Sequence, residues 1–256
     1  IRNSLVQVDS DTYALAYAGA DSDGFISTFT IDSDGTITAV KTQSEGNNLE
    51  HDTDTGGHNS LVQVDSDTYA LAYSGADGDG FISTFTIDSD GTITAVKTQS
   101  EGNNLEHDTG IALNNSLVQV DSDTYALTYR GTSDLNTPIG VISTFTISSD
   151  GTTITEVGSL EHDTSDGFSS APFNSLVQVD SDTHALAYAG AGDDGFISTF
   201  DIATSRPHQV GTVSPTSSAV LSWTAPTAGA SDITDYTIQY STDDSNWTTF
   251  DDGVTT

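Results

Sequence analysis

Closely spaced aspartates are the first feature with chemical reach. Early in the chain they fall in pairs, Asp9/Asp11, Asp21/Asp23 and Asp32/Asp34, which return as Asp65/Asp67, Asp77/Asp79 and Asp88/Asp90. A calcium ion takes about six to eight oxygens, several from such carboxylates and nearby carbonyls. The run Asp32-Ser-Asp-Gly35, repeated as Asp88-Ser-Asp-Gly91, makes Asp32, Asp34, Asp88 and Asp90 the calcium candidates. The distant Glu of a complete helix-loop-helix calcium loop is absent. The competing role is turn formation, since Asp and Ser side chains bond nearby backbone.

A second motif is Glu50-His51-Asp52, which recurs as Glu106-His107-Asp108 and Glu161-His162-Asp163. A histidine flanked by carboxylates can bind a metal or act as a base. Recurrence at one place in every repeat argues instead for a structural role, with hydrogen bonding the expected form. Ser, His and Asp are plentiful, but no Gly-x-Ser-x-Gly elbow supports a nucleophile. The expectation is therefore no catalytic residue and no resident cofactor other than calcium.

These motifs sit in a repeat. The phrase Asn-Ser-Leu-Val-Gln-Val-Asp-Ser-Asp-Thr begins at Asn3, Asn59, Asn115 and Asn174, at spacings of 56, 56 and 59 residues. Residues 3–53 and 59–109 differ at only two positions, Ala18/Ser74 and Ser22/Gly78. The third copy diverges over 130–140, and the fourth ends near Ile202. The units read as 3–58, 59–114, 115–173 and a partial 174–203.

Each unit predicts four short strands, at 4–8, 13–18, 25–31 and 36–42 in the first, rich in Val, Ile, Thr, Tyr and Phe and separated by Asp/Ser/Gly turns. Tyr13, Leu15 and Tyr17 alternate with Ala14, Ala16 and Ala18, so one face is large and the other small. Both faces are apolar enough to pack, and successive sheets would nest large against small. The aromatics Tyr13, Tyr17, Phe25 and Phe29 belong to a core before they belong to a sugar platform.

A four-stranded unit repeated at this period resembles the blade of a β-propeller, so the fold class is all-β, with a propeller-type array over 1–203. Three units and a partial fourth fall short of the usual ring, which leads us to expect further units before Ile1; a linear stack of β-modules is the alternative. The phrase Ser33-Asp-Gly-Thr36 is similar to a turn of sialidase blades but lacks its aromatic and an arginine cluster, which argues against that activity.

The segment 204–256 differs in composition. The pieces Leu221-Ser-Trp-Thr-Ala-Pro226, Ile233-Thr-Asp-Tyr-Thr-Ile-Gln-Tyr240 and Trp247 resemble the first part of a fibronectin type III domain. That resemblance implies a partial β-sandwich with Trp223 in its core and Tyr236 packed nearby.

The 256-residue chain carries 38 Asp+Glu against 5 Lys+Arg, a formal charge of −33, with no Cys and no Met. Arg2, Lys41, Lys97, Arg130 and Arg206 stand singly, too few to displace counterions from nucleic-acid phosphates. No apolar run approaches the roughly 20 residues of a membrane span. Without Cys there is no disulfide or thiolate chemistry. A start at Ile1 reads as an internal or processed point. The layout resembles large secreted or surface repeat proteins of marine microbes. It implies a non-enzymatic extracellular scaffold or adhesion segment whose partner is a protein or glycan at a cell surface. The alternatives are a glycan- or calcium-binding lectin-like propeller module and an accessory propeller of an extracellular enzyme. The sequons at Asn114 and Asn246 would permit glycosylation in such a setting.

Overall fold

In a strand, large residues at every second position and small ones between them leave two apolar faces and no solvent face, so each sheet must be covered on both sides. The computed structural model meets that demand by stacking successive sheets. It describes residues 2–45, 48–99, 102–132, 137–163, 174–180, 182–190, 194–202, 239–240 and 248–249. The chain divides into Ile1–Thr204 and Ser205–Thr256.

Unit 1 is an antiparallel meander of β1 (Ser4–Gln7), β2 (Thr12–Ala18), β3 (Gly24–Ile31) and β4 (Ile37–Lys41), with β5 (Leu49–Asp52) also paired to β3. Unit 2 repeats it as β6 (Gly57–Gln63), β7 (Thr68–Ser74), β8 (Gly80–Ile87), β9 (Ile93–Lys97) and β10 (Leu105–Asp108). Unit 3 comprises β11 (Leu113–Gln119), β12 (Thr124–Thr132), β13 (Pro138–Ile147) and β14 (Ile154–Asp163). Unit 4 comprises β15 (Ser175–Gln178), β16 (Thr183–Ala189) and β17 (Gly195–Asp201). In unit 1 the first three strands lie within one residue of the expected bounds, whereas β6, β11 and β13 begin three residues earlier than the repeat predicts.

The fourth strand departs from expectation. In units 1 and 2 it is broken in two, with β4 on one half of β3 and β5 on the other. In unit 3 the same edge is one ten-residue strand with two register shifts. The cause is chain length: eight residues (41–48) separate Val40 from Leu49, but only two (158 and 159) separate Val157 from Leu160. The longer link leaves the sheet and returns; the shorter one cannot. The divergent stretch of unit 3 extends its hairpin, with Arg130, Gly131 and Thr132 paired to Gly140, Ile139 and Pro138.

Between units the two faces nest. Ala14, Ala16 and Ile26 of unit 1 pack on Leu61, Tyr69, Leu71, Tyr73 and Phe85 of unit 2. Ala70, Ala72 and Ile82 pack in the same way on Leu117, Tyr125, Leu127, Tyr129 and Phe145. Ala126 and Ile142 then meet Leu176, Leu186 and partly buried Phe200. The first strands β1, β6, β11 and β15 adjoin one another in that order. This is an all-β, propeller-like arrangement in which the cores lie between sheets. Of the 204–256 segment, only the short pair β18 (Gln239–Tyr240) and β19 (Thr248–Thr249) is described. Trp223, Tyr236 and Trp247, and with them the fibronectin-like reading, lie outside the described residues.

Candidate functional site

The calcium candidates occupy the turn between the third and fourth strands. Asp32 and Asp88 close it by backbone bonds, with Gly35 N donating to Asp32 O and Gly91 N to Asp88 O, both at 2.8 Å. Gly35 and Gly91 take φ of 84° and 80°, the left-handed region where Gly carries no Cβ penalty. The Asp34 and Asp90 carboxylates each accept the N–H two residues on, from Thr36 and Thr92 at 2.9 Å, which holds both below the usual carboxylate range. Each turn thus satisfies one carboxylate locally. Among the described residues, no three His, Asp or Glu side chains gather as a metal cage.

The second turn also hooks onto its neighbour. Thr12 Oγ1 donates to Ser89 O at 3.0 Å and Thr28 Oγ1 to Gly91 O at 2.8 Å. Thr84 Oγ1 donates to Gly151 O at 2.8 Å, repeating the hook one unit later. The turns at Asp88–Gly91 and Ser148–Gly151 therefore fasten units 2 and 3 to the unit before each, whereas the turn at Asp32–Gly35 fastens nothing among the described residues.

The Glu-His-Asp motifs fall on the last stretch of each outer strand, and the histidines turn inward. His51 lies edge-on to Tyr73 at 4.6 Å and to Phe85 at 6.0 Å, both in the next unit. His107 repeats this with Tyr129 and Phe145, and His162 with Tyr188 and Phe200. A Cβ on Gly24, Gly80 or Gly140 would strike the ring of His51, His107 or His162, so glycine is needed opposite each imidazole. Burial pushes His51 and His107 down to about 3 and lowers His162, so the rings are neutral. The expected structural role takes the form of aromatic packing: no ring nitrogen of the three has a hydrogen-bond partner. Beside His51, buried Asp52 accepts the N–H groups of Asp54 and Thr55, and Gln99 is placed to donate to its other oxygen. Burial outweighs those bonds and raises Asp52 to about 6.

A further cluster was not anticipated from the sequence. The residues just before each Asn-Ser-Leu are Arg2, His58, Asn114 and Phe173, four different types at the ends of connectors that differ from copy to copy. Three of them converge where the first strands begin. Arg2 Nη1 donates to the carbonyls of Asn114, Asn115 and Asn174 at 3.2–3.4 Å, reaching units 3 and 4 from unit 1. Asn59 Nδ2 donates to Gly56 O and Arg2 O, and Asn115 Nδ2 to His58 O. His58 and Asn114 take φ of 54° and 63° inside bulges that insert one residue between Gly57 and Ser60 and between Leu113 and Ser116. A bulge of this kind re-aims a side chain out of the alternation. His58 is lowered first by burial, and it also faces Arg2 and Asn114. Asn59 Oδ1, Asn114 Nδ2, Asn115 Oδ1 and Asn174 Nδ2 are buried there without a partner. The signal that would have pointed here is variation, since the connectors are among the places where copies differ. Asn114 is itself buried, which takes its sequon out of an enzyme's reach in the folded chain.

No protein-family model matches the sequence, and no curated protein matches it significantly. Among solved structures, a protein of unknown function from Dyadobacter fermentans is similar at 12% identity and a TM-score of 0.48, over 75% of this chain and 50% of that one. An α-L-arabinofuranosidase from Clostridium thermocellum is similar at 11% identity and 0.37, over 77% and 66%. A Lactobacillus plantarum protein stands at 12% and 0.37, over 78% and 70%. The chain thus spans half the length of the first and about two thirds of the second. The functional reading rests on this chain's own residues.

Proposed function

We propose that the chain is a non-enzymatic scaffold or adhesion segment of a larger extracellular or cell-surface protein, with a protein or glycan as partner. One observation carries this reading: the repeated polar motifs are used as joints between successive units. The histidines of units 1 to 3 wedge between aromatics of the next unit, the turns ending at Gly91 and Gly151 accept threonine hydroxyls of the preceding unit, and Ser4, Ser60 and Ser116 accept the N–H of the leucine in the following unit. A repeat whose polar side chains are used this way builds a rigid spacer that presents acidic turns to solvent. Brief protease treatment of intact cells that make the protein should release peptides from 1–203; release only after lysis would sink the surface assignment.

The Arg2–His58–Asn114 cluster supports a second reading, a module that binds a small polar ligand such as a glycan end. Strained, repeat-breaking residues beside unpartnered buried amides are what a recognition site requires. Calorimetry against glycans and against calcium separates the two readings: binding lost in Arg2→Ala favours the module, calcium binding lost in Asp34→Asn would revive the turn sites, and no heat in any titration leaves the scaffold.

A further inference from the structure

The same residue at the same repeat position has opposite surroundings at the two ends of the array. Leu61, Leu117 and Leu176 are 4%, 3% and 3% exposed, whereas Leu5 is 56% exposed. Ile26, Ile82 and Ile142 are 0%, 0% and 6% exposed, whereas Ile197 is 78% exposed. Among the described residues, unit 1 therefore shows an uncovered large face, Leu5 with half-buried Tyr13, Leu15 and Tyr17, and unit 4 an uncovered small face, Val177, Ala187 and Ile197. The fasteners tell the same story. Gly91 and Gly151 sit against threonines of the preceding unit, while nothing lies within 4 Å of a Cβ built on Gly35.

These two faces are the two halves of an interface that the chain already makes three times. Arg2 brings the ends of the array near each other: from unit 1 its guanidinium donates to carbonyls of unit 3 at 3.3 and 3.4 Å and of unit 4 at 3.2 Å, so the array curves back on itself.

We infer that the two open faces together form a docking site for one more four-stranded unit of this same repeat. Its small face covers Leu5, Leu15 and Tyr17, its large face covers Ala187 and Ile197, and one of its threonines takes the carbonyl of Gly35. The inference is independent of whether the chain is a scaffold or a binding module, since it concerns closure of the array.

The test is to insert a second copy of residues 3–58 between Arg2 and Asn3 of the full chain, which reproduces the natural His58–Asn59 junction. Binding of a dye that reports exposed apolar surface should fall several-fold, because both faces are covered at once, and the melting temperature should rise. Inserting two copies should restore the dye signal. Leu15→Asp should be tolerated in the original chain but should lower the melting temperature of the lengthened chain as much as Leu71→Asp lowers that of the original. Unchanged or higher dye binding after one insertion would overturn the inference, as would a Leu15→Asp that stays harmless in the lengthened chain. Ile197→Ser, read against Ile82→Ser, gives the same comparison for the other face with a milder substitution.

Discussion

Units 1 and 2 are nearly the same sequence in two environments, and the comparison separates what a residue is from where it lies. Tyr69, Leu71 and Tyr73 are fully buried, while Tyr13, Leu15 and Tyr17 are only half covered, although the strands carrying them have the same register. Burial here belongs to the neighbour and not to the sheet. The β2–β3 hairpin forms in both units because its alternation and turns are local. Its stability then depends on what stands on each face.

The largest way to break the comparison is a core truncation. Leu61→Ala should cost about 2–5 kcal/mol, the range for a buried leucine, and Leu5→Ala less than about 1 kcal/mol. Urea denaturation of both variants measures the difference; equal losses would mean that unit 1 is covered in solution.

Acid should act through the interior histidines. His51 and His107 titrate near 3 when folded against about 6.5 when unfolded, so the unfolded chain binds more protons between those values. Stability is thus fully present above about pH 6.5 and declines as pH falls, with His162 contributing in the same direction. Each fully shifted histidine contributes a slope of about 1.4 kcal/mol per pH unit. Asp52, raised to about 6, works the other way below that pH and offsets at most one of them. Urea midpoints should therefore fall between pH 6.5 and pH 5; a flat profile would contradict buried neutral imidazoles.

A smaller contrast comes from glycine. Gly80→Ala drives a methyl to 2.5 Å from His107 and should cost about 1–3 kcal/mol, whereas Gly195→Ala, with open space around it, should cost little. Thermal melts of the pair would sharpen the difference between middle and end units. Smallest is the fastener: Thr84→Val deprives Gly151 O of its donor and should cost about 1 kcal/mol, with Thr199→Val near neutral. Equal effects would show that the threonine acts within its own sheet.

The sequence made the meander and the nesting of large against small legible, because both follow from period-two alternation and turn residues within a few positions. It did not reveal the broken fourth strand of units 1 and 2: Gly46, Asn47 and Asn48 are turn-forming types, but that the chain after them pairs again with β3 is decided between strands. It also hid the meeting of Arg2, His58 and Asn114. In a verbatim repeat the eye follows what is constant, and these residues stand 56 apart. Only the curvature of the array, one unit's rotation added to the next, brings them together.

By itself, then, the sequence determined the kind of sheet, the residues on each face and the acidic turns, all consequences of local sterics and hydrophobic alternation. The tertiary structure decided which of the identical faces are covered, and it placed the Glu-His-Asp histidines between aromatics with no hydrogen-bond partner. It also decided that the turns ending at Gly91 and Gly151 fasten units together while the one ending at Gly35 does not. Those outcomes depend on contacts between residues of different units, from 22 to 77 positions apart, and local propensity does not encode such contacts.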